Sequence, residues 1–203
     1  MKLIALLLTL SLSPFLVACG DDDDGPPTSE TTTLSAATAT ATPGGDDTPG
    51  TPVAPDGSTD SVSFLAAPNP APEPALLVDV RVGAHPEDGG FDRIVFEFEE
   101  GQRPSGLVGY KEEVAQCGSG QPVDPAGSHI LAVHFDFTNA HTEAGELSIP
   151  STEVTGPANS ILEAVSTCDF EAVVEWAVGT NGEKPFTVTL LEDPNRVVID
   201  VAH

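Results

Sequence analysis

From residue 76 to the C-terminus, apolar and polar side chains alternate along short stretches of the chain. A period of two is typical of β-strands that bury one face and expose the other. The alternating stretches are 76–82, 93–99, 107–115, 130–137, 170–178, 186–190 and 196–201. Glycine and proline separate them, and none has the spacing of an amphipathic helix. The pattern predicts an all-β domain, an antiparallel β-sandwich of about eight short strands.

Two further segments are less regular. Residues 147–149 predict a short edge strand because Pro150 follows directly. Residues 161–167 fit either a strand or a helical turn. The side chains that share the apolar face of each predicted strand are Leu76, Val78, Val80, Val82, Ile94, Phe96, Phe98, Val108, Tyr110, Val114, Leu131, Val133, Phe135, Phe137, Phe170, Ala172, Val174, Trp176, Val178, Phe186, Val188, Leu190, Val197, Ile199 and Val201.

The first 18 residues are arranged as an export signal. Lys2 supplies a positive charge, and residues 3–17 are almost wholly apolar but short for a membrane span of roughly 20 residues. Residues 16–19, Leu-Val-Ala-Cys, resemble the bacterial lipobox, in which the cysteine thiol receives a diacylglycerol and the signal is cut just before it. We therefore predict a lipid anchor on Cys19 that holds the exported chain to the cell membrane. A plain signal peptide and an uncleaved anchor are the alternatives.

Composition changes again after the cysteine. Residues 20–75 consist mainly of Pro, Gly, Thr, Ser, Ala and Asp, with few large apolar side chains. Such a segment cannot bury enough surface to offset its chain entropy. The predicted organisation is therefore a signal peptide at 1–18, a disordered tether at 19–75 and one folded domain at 76–203.

The chain is strongly acidic. It has 32 acidic residues and seven Lys and Arg residues, a formal charge of −25 at pH 7. Residues 76–203 hold 22 of the acidic and six of the basic residues, about −16. Without a basic stripe to release counterions, this composition argues against nucleic acid as a partner. Solubility or a saline habitat accounts for the charge; a cationic partner or loosely held divalent ions is the functional alternative.

The three cysteines fall into two groups, because Cys19 belongs to the lipobox-like segment and the other two lie in the predicted domain. If Cys19 is lipidated, Cys117 and Cys168 remain as an even pair in an oxidising, exported compartment, which favours a disulfide. Closing a loop of about 52 residues would stabilise the fold by roughly 4 kcal/mol in the chain-entropy model. A two-cysteine metal site is the alternative, although neither cysteine belongs to a C-x-x-C pair.

The common catalytic signatures are missing. The sequence has no H-E-x-x-H, G-x-S-x-G or P-loop motif. Glu97 and Glu99 share a strand face, but general acid–base chemistry requires a desolvated carboxyl group. His134 and Asp136 also share a face and are weak candidate metal ligands. We predict no catalytic residue, no cofactor and no resident metal.

Blocks of sequence occur in a fixed order along the predicted domain: residues 91–98 (FDRIVFEF), 109–110 (GY), 169–171 (DFE) followed by Trp176 and Gly179, 184–188 (KPFTV) and 193–201 (DPNRVVIDV). Together they span about residues 77–203 and resemble the AMIN-like domain of bacterial lipoproteins. Cys168 and Ala172 stand where that family usually has glycine on either side of Asp-Phe-Glu. The resemblance implies a β-sandwich in an envelope protein without established activity. More distantly, it is similar to the AMIN domain that targets cell-wall amidases and secretins to the envelope through peptidoglycan.

Aromatic and basic residues are the candidates for ligand contact. Trp176 would suit sugar stacking, but its apolar neighbours two residues away favour a place in the core. Tyr110 has an amphipathic ring suited to a surface contact. Arg93 and Arg196 lie on the polar sides of strong strands, where they pair with acidic side chains or meet the carboxylates of a peptide stem. Tyr110, Arg93 and Arg196 form the predicted ligand-binding surface.

These observations predict a lipid-anchored envelope lipoprotein whose single domain binds peptidoglycan or an envelope protein without catalysis. The alternative is a solute- or metal-binding lipoprotein that delivers cargo to a transporter. An enzyme of unrecognised type is the third possibility.

Overall fold

The computed structural model describes residues 57–64, 73–87, 89–100 and 104–203, and the backbone of residues 37–38. The described part of the chain offers no helical membrane span. Its strands are β1 (Ala37–Thr38), β2 (Val62–Phe64), β3 (Ala75–His85), β4 (Phe91–Phe98), β5 (Ser105–Lys111), β6 (Val114–Ala115), β7 (Pro122–Val123), β8 (His129–Asp136), β9 (Thr138–Asn139), β10 (Glu153–Thr155), β11 (Ile161–Phe170), β12 (Val173–Thr180), β13 (Phe186–Leu191) and β14 (Arg196–Ala202). The prediction of an all-β class is confirmed.

Two sheets form the layers of the fold. The first has the strand order β1-β2-β5-β8-β12-β11-β10, and the second has the order β13-β14-β4-β3-β9. Most neighbours are antiparallel, whereas β1 with β2 and β3 with β9 are parallel. A separate hairpin consists of β6 and β7. The predicted antiparallel β-sandwich is confirmed.

An aromatic cluster joins the two sheets. Phe96 of the second sheet lies edge-on to Phe135 and Trp176 of the first, with ring centroids 5.0 and 5.8 Å apart. Phe98 contacts the same Phe135 ring at 5.4 Å. Each buried aromatic side chain removes about 150–250 Å² from water, so this cluster is a large part of the driving force for packing the sheets together. The predicted core position of Trp176 is confirmed, since only 1% of it is exposed.

The predicted face of β3 is wrong over its first half. A register shift between Leu77 and Asp79 marks a β-bulge. Leu77 is fully buried, while Leu76 and Val78 are only half-buried. Because a bulge moves the side-chain alternation by one residue, a strict period of two cannot follow it.

Phe137 and Phe170 were predicted to share the buried face, and this too is wrong. They are 49% and 63% exposed. Phe137 has a φ of 51°, and Glu171 and Ala172, which follow Phe170, have φ of 51° and 59°. Backbone in the left-handed region ends the extended strand, so the alternation no longer determines where these rings point.

Of the predictions made for the two irregular segments, one is confirmed and the other is wrong. Residues 161–167 belong to the ten-residue strand β11, so the strand interpretation holds. Leu147 forms only an isolated bridge with His141, and the edge strand predicted at 147–149 is absent. Ile149 is nevertheless 5% exposed and lies in the core.

Part of the predicted tether belongs to the fold. Within residues 57–64, β2 pairs with β5 at the edge of the first sheet. Phe64 is buried against Phe135, with ring centroids 6.0 Å apart. The folded region therefore begins before residue 76. The predicted signal peptide and Cys19 lie outside the described residues.

Candidate functional site

A groove of about 230 Å³ lies on the outer face of the first sheet. Its floor includes Gly109 of β5 and Ala132 of β8, which are direct cross-strand partners. Val114 and Ala115 of the β6–β7 hairpin line it as well. Ser61 lies over Gly109 so closely that a Cβ there would collide with the Ser61 hydroxyl oxygen. The floor therefore lacks large side chains, and Ser61 occupies the space directly over Gly109.

A disulfide fastens the hairpin to the sheet. The predicted bond between Cys117 and Cys168 is present, with the two Cα atoms 5.2 Å apart. The Cys117 N–H donates to the Thr167 carbonyl at 3.0 Å, and the Gln116 side-chain amide donates to the Ser166 carbonyl at 3.1 Å. These contacts hold the hairpin beside the groove.

A β-bulge brings Thr167 to the groove. The register of β11 against β12 shifts between Ser166 and Cys168, so that Thr167 and Cys168 together oppose Glu175. Thr167 lines the groove and is only 3% exposed. Its hydroxyl has no hydrogen-bond partner among the described residues. A hydroxyl group donates one hydrogen bond and accepts two, so this group is available to a ligand in the groove.

His134 is held between two carboxylates. Its Nδ1 lies 2.9 Å from Glu175 Oε1, and its Nε2 lies 3.0 Å from Asp136 Oδ1. Burial lowers the pKa of His134, but the hydrogen bonds to Glu175 and Asp136 outweigh it, so the pKa is raised above its usual value. Among the described residues, no three ligating side chains are arranged to hold a metal ion. His134 is thus hydrogen-bonded to Glu175 and Asp136, and it forms ion pairs with them when it is protonated.

The other charged groups of the groove are unpaired. Lys111 and Glu113 both line it. The side chain of neither one forms a hydrogen bond or an ion pair with any described residue. Two larger hollows, of about 490 and 580 Å³, adjoin the hairpin and are lined by Glu112 and Asp124.

Tyr110 lines the groove, but its hydroxyl is used within the fold. The Tyr110 hydroxyl donates to the Lys184 carbonyl at 2.8 Å and accepts from the Lys184 N–H at 2.8 Å. Its ring lies edge-on to Phe186, with centroids 5.9 Å apart. Burial is the main cause of the raised pKa of Tyr110. This residue ties the two sheets together.

The two predicted arginines lie on the second sheet and do not line the groove. Arg93 donates to both carboxylate oxygens of Asp200, at 2.6 and 2.8 Å. The hydrogen bond from Arg93 to Asp200 raises the pKa of Arg93 against the opposing effect of burial. Arg196 Nε donates to the Pro194 carbonyl at 3.1 Å. The structure therefore separates Tyr110 from Arg93 and Arg196.

Comparison with known families supplies the decisive observation. The model of the AMIN-like domain family matches residues 75–203, which is more than half of the chain and the greater part of the folded region. The chain belongs to the AMIN-like family. Neither the curated proteins nor the solved structures include a significant match.

The AMIN-like block at residues 91–98 has a structural role here. Asp92 is fully buried and accepts hydrogen bonds from the Ser160 and Ile161 N–H groups at 2.7 and 2.9 Å. His203 Nε2 lies 3.0 Å from the same carboxylate. Burial raises the pKa of Asp92, but these hydrogen bonds outweigh it and the pKa is lowered. Asp92 thus joins β4 to the start of β11 and to the C-terminus.

Its neighbours Phe91 and Arg93 project from the opposite face of β4. The Phe91 ring stacks on His85 with centroids 4.8 Å apart, and the Arg93 guanidinium lies 5.3 Å from the centre of the Phe91 ring. This AMIN-like block therefore stabilises the sandwich from both faces of the second sheet, away from the groove.

Sequence reasoning missed the groove residues Ser61, Lys111, Glu113, Thr167 and Glu175. Ser61 falls inside the predicted tether, and Thr167 reaches the groove through a bulge that has no period-two signal. The two remaining cysteines were the available sign, because their pairing fastens the segment after β6 to β11.

Proposed function

We propose that this AMIN-like protein is a lipid-anchored envelope lipoprotein whose single sandwich binds peptidoglycan or an envelope protein without catalysis. The observation that carries the proposal is the family match, which extends over residues 75–203. The lipobox-like residues 16–19 support the anchor. Stable anchoring requires two hydrophobic signals, which the two chains of a diacylglycerol on Cys19 would provide.

The groove supports binding in preference to catalysis. Nucleophilic catalysis requires a hydroxyl or thiol within hydrogen-bond reach of a base. The hydroxyl groups of Ser61 and Thr167 make no hydrogen bond to His134, and both His134 nitrogens face carboxylates. Thr167 and Ser61 are therefore available for ligand contact.

A sedimentation assay tests the binding half of the proposal. The purified full chain is mixed with isolated cell-wall sacculi, with chitin as a matched insoluble polymer that lacks peptides. We expect the protein to sediment with sacculi and to stay soluble with chitin. If sacculi do not sediment it, and crosslinking in the native host recovers no envelope protein, the proposal is wrong.

Mass spectrometry tests the anchor. We expect the mature protein from its host to begin at Cys19 and to carry a diacylglycerol, and a Cys19→Ala variant to lack it. A mature chain that begins elsewhere, or that has no acyl mass, contradicts the lipid anchor.

A further inference from the structure

We propose that the groove binds a short peptide segment that presents both a carboxylate and an ammonium group. This inference rests on the proposed function, and it assigns recognition of the cell wall to its peptide part and not to its glycan part.

The charged side chains of the groove favour a ligand of this kind. The groove is lined by Lys111 and Glu113, which have no partner among the described residues, and by His134 and Glu175, which are paired with each other. Residues 76–203 as a whole have 22 acidic and six Lys and Arg residues. The unpaired charges of the groove are thus one of each sign on a strongly anionic domain, and they suit a ligand that carries one charge of each sign.

Several polar groups of the groove are also free to form hydrogen bonds with a ligand. Lys111 and Glu113 have no partner among the described residues, although acidic side chains are abundant in the domain. Lys111 would donate hydrogen bonds to the carboxylate of the ligand, and Glu113 would accept them from its ammonium group. The unpaired hydroxyl of Thr167 and that of Ser61 are then free to bond the amide groups between those two charges.

The shape of the groove favours a peptide over a sugar ring. Sugar rings are commonly bound on an exposed aromatic face. In the groove, however, Trp176 is only 1% exposed and the ring of Tyr110 packs against Phe186. The floor beside Ala132 lacks large side chains and leaves room for a short extended peptide segment. A volume of about 230 Å³ is below the roughly 300–1,000 Å³ of typical small-molecule sites, so the groove would hold one or two residues of a longer ligand.

Calorimetric titration of the full chain with three probes tests the inference. The probes are the peptide Ala-Glu-Lys-Ala with free ends, the uncharged N-acetyl-Ala-Gln-Gln-Ala-amide, and chitotetraose. We expect the free peptide to bind and the other two probes to bind at least tenfold more weakly. Losing a hydrogen bond to a charged group costs about 1.5–3 kcal/mol, which corresponds to a factor of ten or more in affinity.

Variants locate the site. Lys111→Gln should weaken peptide binding by about tenfold, whereas Lys184→Gln, an equal charge change outside the groove, should have no effect. Thr167→Val should weaken it several-fold, and Thr187→Val on the second sheet should not. Circular dichroism of each variant confirms that the sandwich remains folded.

The outcomes separate this inference from the proposed function. If chitotetraose binds and the peptide does not, the inference is wrong although wall binding stands. If wild type and Lys111→Gln sediment with sacculi equally and bind the peptide equally, the groove is not the site. If neither sacculi nor the peptide binds, peptidoglycan recognition fails together with this inference.

Discussion

The outer faces of the two sheets differ in how completely their charged side chains are paired. On the second sheet, Arg93 holds Asp200 through two hydrogen bonds, and Arg81 contacts Asp79 at 2.6 Å and Glu97 at 2.8 Å. On the first sheet, Lys111 stands at the groove without a partner among the described residues. Acidic residues are too numerous for that lack of pairing to reflect a shortage of anions.

This difference indicates which surface of this family member stabilises the fold and which surface is available for binding. The AMIN-like block at 91–98 supplies the paired face and the buried carboxylate Asp92, so these residues stabilise the fold. In the groove on the other sheet, Lys111 and Glu113 have no partner among the described residues, whereas His134 is bonded to Glu175 and Asp136. We therefore expect substitutions on the second sheet to change stability, and substitutions in the groove to change binding.

The largest expected effect is that of Asp92→Ala. It leaves the Ser160 and Ile161 N–H groups buried without their acceptor, and we expect a loss of about 3–5 kcal/mol in the free energy of unfolding. Urea unfolding measures it, with Asp79→Ala as the solvent-accessible control. The lowered pKa means that the ionised Asp92 stabilises the fold above the unfolded value of about 3.9, and that this contribution is lost as pH falls through the folded value. A loss no larger than that of the Asp79 variant would show that the buried carboxylate is dispensable.

Removing the disulfide should have the next largest effect. The double variant Cys117→Ser and Cys168→Ser should lose about 2–4 kcal/mol, because the unfolded chain is no longer constrained. It should also weaken peptide binding, since the hairpin beside the groove is released, while the Arg93–Asp200 pair is unaffected. Unfolding and titration with and without a reductant measure both effects. Unchanged peptide affinity would show that the hairpin forms the groove without its covalent tie.

Arg93→Lys tests the paired face directly. A lysine cannot donate two parallel hydrogen bonds to Asp200, so we expect a loss of about 1–2 kcal/mol in the free energy of unfolding. The matched control is Arg196→Lys. Among the described residues, the Arg196 side chain bonds only the Pro194 carbonyl, so this substitution should cost less than about 0.5 kcal/mol. Equal losses in thermal or urea unfolding would remove the contrast between the two arginines.

His134 should give the smallest effect, and a pH-dependent one. Its raised pKa means that protonation contributes stability that is fully present below the unfolded pKa of about 6.5 and is lost as pH rises through the folded pKa. The stability difference between wild type and His134→Gln should therefore be larger at pH 5.5 than at pH 9, by less than about 1 kcal/mol. Replacing both partners, by Glu175→Gln and Asp136→Asn, should abolish that dependence. A difference that grows with pH would have the wrong sign for this ion pair.

Much of the fold could be predicted because its strands obey local rules. The alternation of Ile94, Phe96 and Phe98, and that of Val197, Ile199 and Val201, placed all six side chains in the core. The AMIN-like blocks identified the family, and counting the cysteines outside the signal predicted the disulfide.

The faces of Leu77 and Thr167 and the exposure of Phe137 and Phe170 were decided only by the tertiary structure. Each follows from a bulge or a left-handed residue, which arises where one strand must fit the register of its neighbour. The groove itself unites Ser61, Lys111, His134 and Thr167 from four separate segments. A one-dimensional pattern reports which side of its own strand a residue occupies, but a site of this kind depends on which strands lie side by side.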